Sequence, residues 1–156
     1  MEMESDLPRR WAEAWSAHDP EALAALFTDD CVYEDVTFGA ESPGLDGVTE
    51  WAEGFLAAFP DLDVEPISTS GSDRRAVLEW RMGGTHHGRL AGMEPTGRRF
   101  EVRGVTVFLF EGDRIARCSD YWDMARVQRQ LGYAAAPADS SRGAASSVLR
   151  ASRMRQ

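Results

Sequence analysis

The stretch FEVRGVTVFLFEGDRIARCSDYWD, residues 100–123, decides the fold. Two runs rich in β-branched and aromatic residues, 100–110 and 114–122, flank the tight-turn sequence EGDR and predict an antiparallel hairpin. Alternation along the second run puts Ala116, Cys118, Asp120 and Trp122 on one face and Arg117, Ser119 and Tyr121 on the other. The face with alanine, cysteine and tryptophan is the better candidate for the interior. Asp120 would then be an acid on an apolar wall. Asp123 lies beyond the strand, placed to cap a helix over MARVQRQLG that Gly132 ends.

Working outward, CVYEDV (31–36), LDVEPIS (62–68) and RAVLEWRM (75–82) predict three further strands. GGTHHGRLAGMEPTGRR (83–99) is a long glycine-bearing connection. Helical signals come first in the chain. Residues 6–18 place Leu7, Trp11, Ala14, Trp15 and His18 on one stripe. Asp19 and Pro20 open a second helix over 19–27, and a third, roughly 47–58, carries Val48, Trp51, Phe55 and Ala58 before Pro60 stops it. Helices followed by strands predict an α+β domain over 1–133, a curved and mostly antiparallel sheet wrapped around N-terminal helices. The concave apolar face of such a sheet is where a hydrophobic small molecule would bind. After Tyr133 alanine, serine and arginine replace large apolar residues, so 134–156 is expected to be disordered.

Bulk properties narrow the function classes. The 156 residues suit one domain with a real core, and a net charge of −9 argues against a nucleic-acid binder. The charge is uneven: residues 1–70 hold 17 acids and two arginines, whereas 71–133 hold 11 arginines and eight acids. Every basic residue is arginine. Two cysteines, Cys31 and Cys118, each inside an apolar run, predict buried free thiols in a reducing cytoplasm, not a disulfide framework or zinc site. The acidic start MEMESDLPRR lacks a signal-peptide core, and no run approaches the ~18 apolar residues of a membrane span.

Several side chains could carry chemistry. A buried carboxylate is costly, and desolvation raises its pKa toward the range of a general acid/base at neutral pH. Asp120 is therefore either catalytic or a structural acid bonded to an amide or arginine. Tyr33 and Asp35, two apart on one strand, project to the same face and could orient a water or a carbonyl. The alternative is a surface pair near a strand end. His86 shares the parity of Trp80 and Met82 and could close its strand from the inside, whereas His87 fits a solvated turn. No second histidine and carboxylate stand at metal-ligand spacing. Nucleophile-elbow, P-loop and dinucleotide motifs are absent.

GTHHGRLAGMEPTGRRF (84–100), EGDRIARCSDYWD (111–123) and RQLG (129–132), in this order, make the chain resemble the SnoaL-type polyketide cyclases of the nuclear transport factor 2-like superfamily, over roughly residues 8–133. The resemblance implies a cone-shaped α+β barrel, commonly a homodimer, with a deep hydrophobic pocket and no cofactor. It implies that Asp120 is the acid/base of an intramolecular aldol closure in secondary metabolism. The histidine that accompanies this aspartate in the cyclases falls on Thr106, which cannot carry charge, so help for an enolate would come from His86, Tyr33 or Arg103. Arg103 has the wrong parity unless Gly104 makes a bulge. Trp51, Trp80, Met82, Thr106, Phe108 and Trp122 are the candidate substrate-binding residues, with Trp11 and Trp15 as further aromatics of the pocket or core. Limonene-type epoxide hydrolases are similar at Tyr33-Glu34-Asp35 and Asp120-Tyr121-Trp122-Asp123, but their Arg-x-Asp element falls near Trp80 and Met82. A non-catalytic small-molecule binder is the third reading.

Overall fold

The expected hairpin is the centre of the molecule, seen in a computed structural model that describes residues 5–133. Strands β5 (Arg99–Glu111) and β6 (Arg114–Trp122) pair antiparallel, with Thr106 opposite Asp120 and Phe108 opposite Cys118. Gly112 takes the positive φ, +61°, that the tight turn between them requires. On the other side of β5 lies β4 (Arg75–Thr85), where Trp80 faces Gly104. Beyond it β3 (Asp63–Gly71) forms one edge of the sheet.

The opposite half is less regular. Strand β1 (Phe27–Asp35) pairs parallel with β6, setting Tyr33 against Cys118 and Asp35 against Asp120. Strand β2 (Ala40–Pro43) forms the other edge, giving the order β2-β1-β6-β5-β4-β3. Neither β2 nor the early start of β1 was expected from the sequence. The segment Thr28-Asp29-Asp30 has poor strand propensity, yet Phe27 is fully buried and pairs with Ile115 across an irregular register. Strand β2 is four residues long, exposed at alternate positions and ended by Pro43, a composition that reads as loop.

Three helices precede β3. In α1 (Leu7–Ser16) the expected stripe of Leu7, Trp11, Ala14 and Trp15 is buried. The helix stops before His18, which adopts a φ of +56° and is exposed, so His18 leaves the stripe. The side chain of Asp19 caps α2 (Pro20–Ala24), accepting from the Ala22 amide at 3.0 Å. That helix is one short turn, because its chain continues into β1. Helix α3 (Gly44–Ala58) begins three residues earlier than expected and packs against β1, while α1 packs against β3. After β6, Asp123 accepts from the Arg126 amide at 3.0 Å and Gly132 ends α4 (Met124–Leu131) at φ +92°, as their residue types predict. The result is a curved six-stranded α+β sheet whose inner face and helices share one core. The tail expected to be disordered, 134–156, lies outside the described residues.

Candidate active site

Asp120 sits in the middle of this core at 7% exposure, with both carboxyl oxygens engaged. The Tyr33 hydroxyl donates to Oδ2 at 2.7 Å, and the Thr106 hydroxyl donates to Oδ1 at 2.6 Å. Strand pairing sets up both contacts: Thr106 is the direct partner of Asp120 on β5, and on parallel β1 Tyr33 stands diagonally across, two residues before Asp35, which pairs with Asp120. Thr106 is fixed in turn by the indole Nε1–H of Trp80, which donates to its oxygen at 2.8 Å. Trp80 reaches Thr106 by crossing over Gly104, where a β-carbon would come within 2.4 Å of the ring. The run Trp80–Thr106–Asp120–Tyr33 is therefore a fully buried hydrogen-bond chain with one ionisable acid in it.

Three forces act on that acid. Burial raises its pKa, the bonds from Thr106 and Tyr33 lower it by favouring the anion, and the nearby charge of Asp35 raises it. Burial prevails, and the carboxyl of Asp120 is pushed up from 3.8 to about 7. The Tyr33 phenol is held well above its ordinary value by burial and by Asp120, so it remains a donor. Asp35 is buried too; it accepts from Trp122 Nε1 at 3.0 Å and from the Phe38 amide at 2.9 Å. Burial outweighs these bonds and raises the Asp35 pKa.

Asp120, Asp35 and Tyr33 form the polar end of a narrow cavity, some 330 Å³ of empty space when the open solvent at its mouth is counted in. All five tryptophans of the chain line it, together with Met82 and Phe55. The walls are tightly nested rings: Trp15 meets Tyr33 edge-on at 6.2 Å and Phe55 at 5.9 Å, and Trp51 tilts against Tyr33 at 6.3 Å. Such a site suits a flat apolar molecule carrying a few polar atoms. The indole N–H groups of Trp11 and Trp15 are buried without an acceptor. Leaving such a group unpaired costs about 1–3 kcal/mol.

The structure thus brings together Asp120, Tyr33, Asp35, Trp51, Trp80, Met82 and Trp122 around one space. Thr106 stands behind Asp120 and holds it, rather than lining the cavity. Two candidates fall away from the site. Phe108 is core, packed against Trp11 at 5.6 Å and Phe110 at 6.0 Å. His86 does close its strand from the inside, with no exposure, but it is outside the cavity and packs on Phe59 at 5.5 Å and Tyr133 at 6.5 Å. Burial lowers the His86 pKa, so it is an uncharged core imidazole. Arg103 is excluded as well: β5 runs through Gly104 without a bulge, and Arg103 pairs on the outer face with Glu79. Among the described residues no group of three or more histidine, cysteine, aspartate or glutamate side chains could hold a metal ion. Both cysteines are buried and free.

Comparison with known proteins agrees with this architecture. A Catenulispora acidiphila protein with a ketosteroid isomerase-like fold, solved in complex with trimethylamine, is 26% identical; the match covers 88% of this chain and 98% of that one at a TM-score of 0.74. IdmH from Streptomyces antibioticus, a candidate polyketide cyclase, is 25% identical over 81% of this chain and 96% of its own, TM-score 0.68. AclR from Streptomyces galilaeus, described as a candidate hydroxylase, shares the fold at 24% identity over 96% of this chain and 94% of its own, TM-score 0.70. No curated protein sequence matches. The family model of the SnoaL-like polyketide cyclases matches residues 5–131, nearly all of the described chain, and the protein belongs to that family.

Proposed function

We propose that the protein is a cyclase or isomerase that closes a ring in a hydrophobic, carbonyl-rich intermediate of polyketide-type secondary metabolism, with Asp120 as its acid/base. One observation carries this reading: a buried carboxyl with a pKa of about 7 at the polar end of a tryptophan-lined cavity. Ionised Asp120 takes a proton from a carbon between two carbonyls. The resulting enolate carbon attacks a second carbonyl, and the new alkoxide takes the proton back from Asp120. Nothing is gained or lost, so the product is an isomer of the substrate. A carboxyl balanced near neutrality can perform both transfers. Protons flanked by carbonyls are already acidic, so a contribution of ~10²–10⁴ from proton transfer, added to positioning by the rings, is sufficient. The homodimer and the cytoplasmic location implied by the sequence belong to the same proposal.

The adjacency of Asp35 and Asp120 on paired strands supports a second reading, epoxide hydrolysis, in which these acids activate water. Against it, no arginine lines the cavity among the described residues, and Arg81 faces outward to Glu65 and Glu101. Product mass distinguishes the two. On a panel of polycyclic keto-esters and epoxides, followed by liquid chromatography and mass spectrometry, the cyclase gives an isomer of unchanged mass that Asp120→Asn no longer produces. A gain of one water establishes the hydrolase instead. Full turnover by a folded Asp120→Asn protein rejects the mechanism, and ligand recovered unchanged from every assay marks a binder.

A further inference from the structure

We infer that the indole N–H groups of Trp11 and Trp15 form a two-donor binding site for a carbonyl or enolate oxygen of the ligand. The two residues lie one turn apart on α1, their rings 6.3 Å from each other, and both line the cavity. They are 2% and 4% exposed, and neither Nε1 has an acceptor. Buried N–H groups in folded proteins nearly always find one, and two orphans on neighbouring residues that line one cavity point to an acceptor that arrives with the ligand. Three other donors of the wall are already committed. The Tyr33 hydroxyl is bonded to Asp120, Trp80 Nε1 to Thr106, and Trp122 Nε1 to Asp35.

The indoles are also close to the reacting end. Trp15 packs edge-on against the ring of Tyr33, whose hydroxyl touches Asp120. An oxygen held by Trp11 and Trp15 would belong to the same small molecule whose carbon faces the acid. Neutral donors fixed by helix packing suit this task, because they stabilise developing negative charge with no reorganisation when it appears. They supply in uncharged form the help that Thr106, tied on both sides, cannot give. The inference rests on the reading of the cavity as the ligand site, and it does not depend on proton transfer by Asp120.

The probe is 2-acetyl-1-tetralone, a fused-ring β-diketone, and its control is the hydrocarbon tetralin. In wild-type protein carrying indole-¹⁵N tryptophan, the diketone moves two of the five indole signals downfield and tetralin moves neither. Trp11→Phe and Trp15→Phe remove those two signals and so assign them. By titration calorimetry each variant binds the diketone about tenfold more weakly and tetralin almost equally well. Each substitution also deletes an unpaired buried donor, which offsets part of the packing lost with the smaller ring. Equal losses for diketone and tetralin would mean that the rings contribute packing alone, and that overturns the inference. Unmoved indole signals, or undiminished diketone affinity in both variants, overturn it as well. Binding needs no turnover, so an inactive Asp120 mechanism and a failed indole site give different results.

Discussion

At pH 5 the Asp120 carboxyl is mostly protonated, and at pH 8 it is mostly ionised, because its pKa is about 7 in the folded protein against 3.8 for an ordinary aspartate. If the anion starts the reaction, kcat/KM rises about tenfold per pH unit below 7 and levels off above it. Stability moves the opposite way. Between pH 3.8 and about 7 the unfolded chain has released this proton while the folded chain still holds it, so stability falls as pH rises through that window. At ~1.4 kcal/mol per pH unit, the effect amounts to roughly 4 kcal/mol at pH 8. Asp120→Asn should therefore lose activity yet show a flatter dependence of denaturant midpoint on pH, with relative stability greatest above pH 7. Thr106→Val removes a donor to the anion, so its activity profile should shift to higher pH. A Thr106→Val profile centred at or below that of wild type would contradict this account of the pKa. Chemical denaturation and initial rates across pH 4–9 measure both.

The element that makes this chemistry possible is β5, through a residue with no side chain. Gly104 leaves room for Trp80 to cross the strand, and a β-carbon there would lie 2.4 Å from the indole and 2.7 Å from the Tyr121 carbonyl oxygen. Overpacking of this kind costs about 1–3 kcal/mol, and the rigid Tyr121 backbone leaves little room for relief. Gly104→Ala should destabilise the protein by about that amount and detach Trp80 from Thr106, lowering turnover more than a surface substitution of equal stability cost. Unfolding curves and rates on the same sample test this; an unchanged midpoint would show that the ring has somewhere else to go. The same strand shows what the sequence could reveal. Period-two parity favours an inner face for Asp120 and puts Tyr33 and Asp35 on one shared face, which burial shows to be the inner one, and the cap and stop residues Asp123 and Gly132 mark α4. Parity gives a face but not a position along the curved sheet, which is why His86 and Phe108 fell on the right face and outside the cavity. The parallel pairing of β1 with β6 is a long-range choice that no local pattern encodes, yet it delivers Tyr33 and Asp35 to Asp120. The edge strand β2 and the start of β1 are held by pairing and by burial of Phe27 rather than by propensity, so they read as loop.

On the scale of the whole molecule, the outer face of the sheet contrasts with the cavity behind it. Val77, Leu109 and Tyr121 are 37%, 38% and 46% exposed on the three adjacent strands β4, β5 and β6. Around them stand charges of both signs, Arg75 and Arg117 with Glu34, the last two already 3.3 Å apart. An apolar centre with a mixed-charge rim can pair with its own copy about a twofold axis, since each arginine meets the partner's acids. Light scattering on the eluting protein should therefore give about twice the 17.3 kDa of one chain. Val77→Arg combined with Leu109→Arg places four like charges at the centre of that interface and should yield a monomer. Dimers that survive this pair would move the interface to another surface, and a wild-type monomer would remove it. The cavity and this outer patch lie on opposite faces of the same strands. The dissociated variant should accordingly keep an Asp120 titration near pH 7 and most of its turnover; a collapse of both would mean that pairing of the sheets, not the fold of one chain, keeps the cavity closed to water.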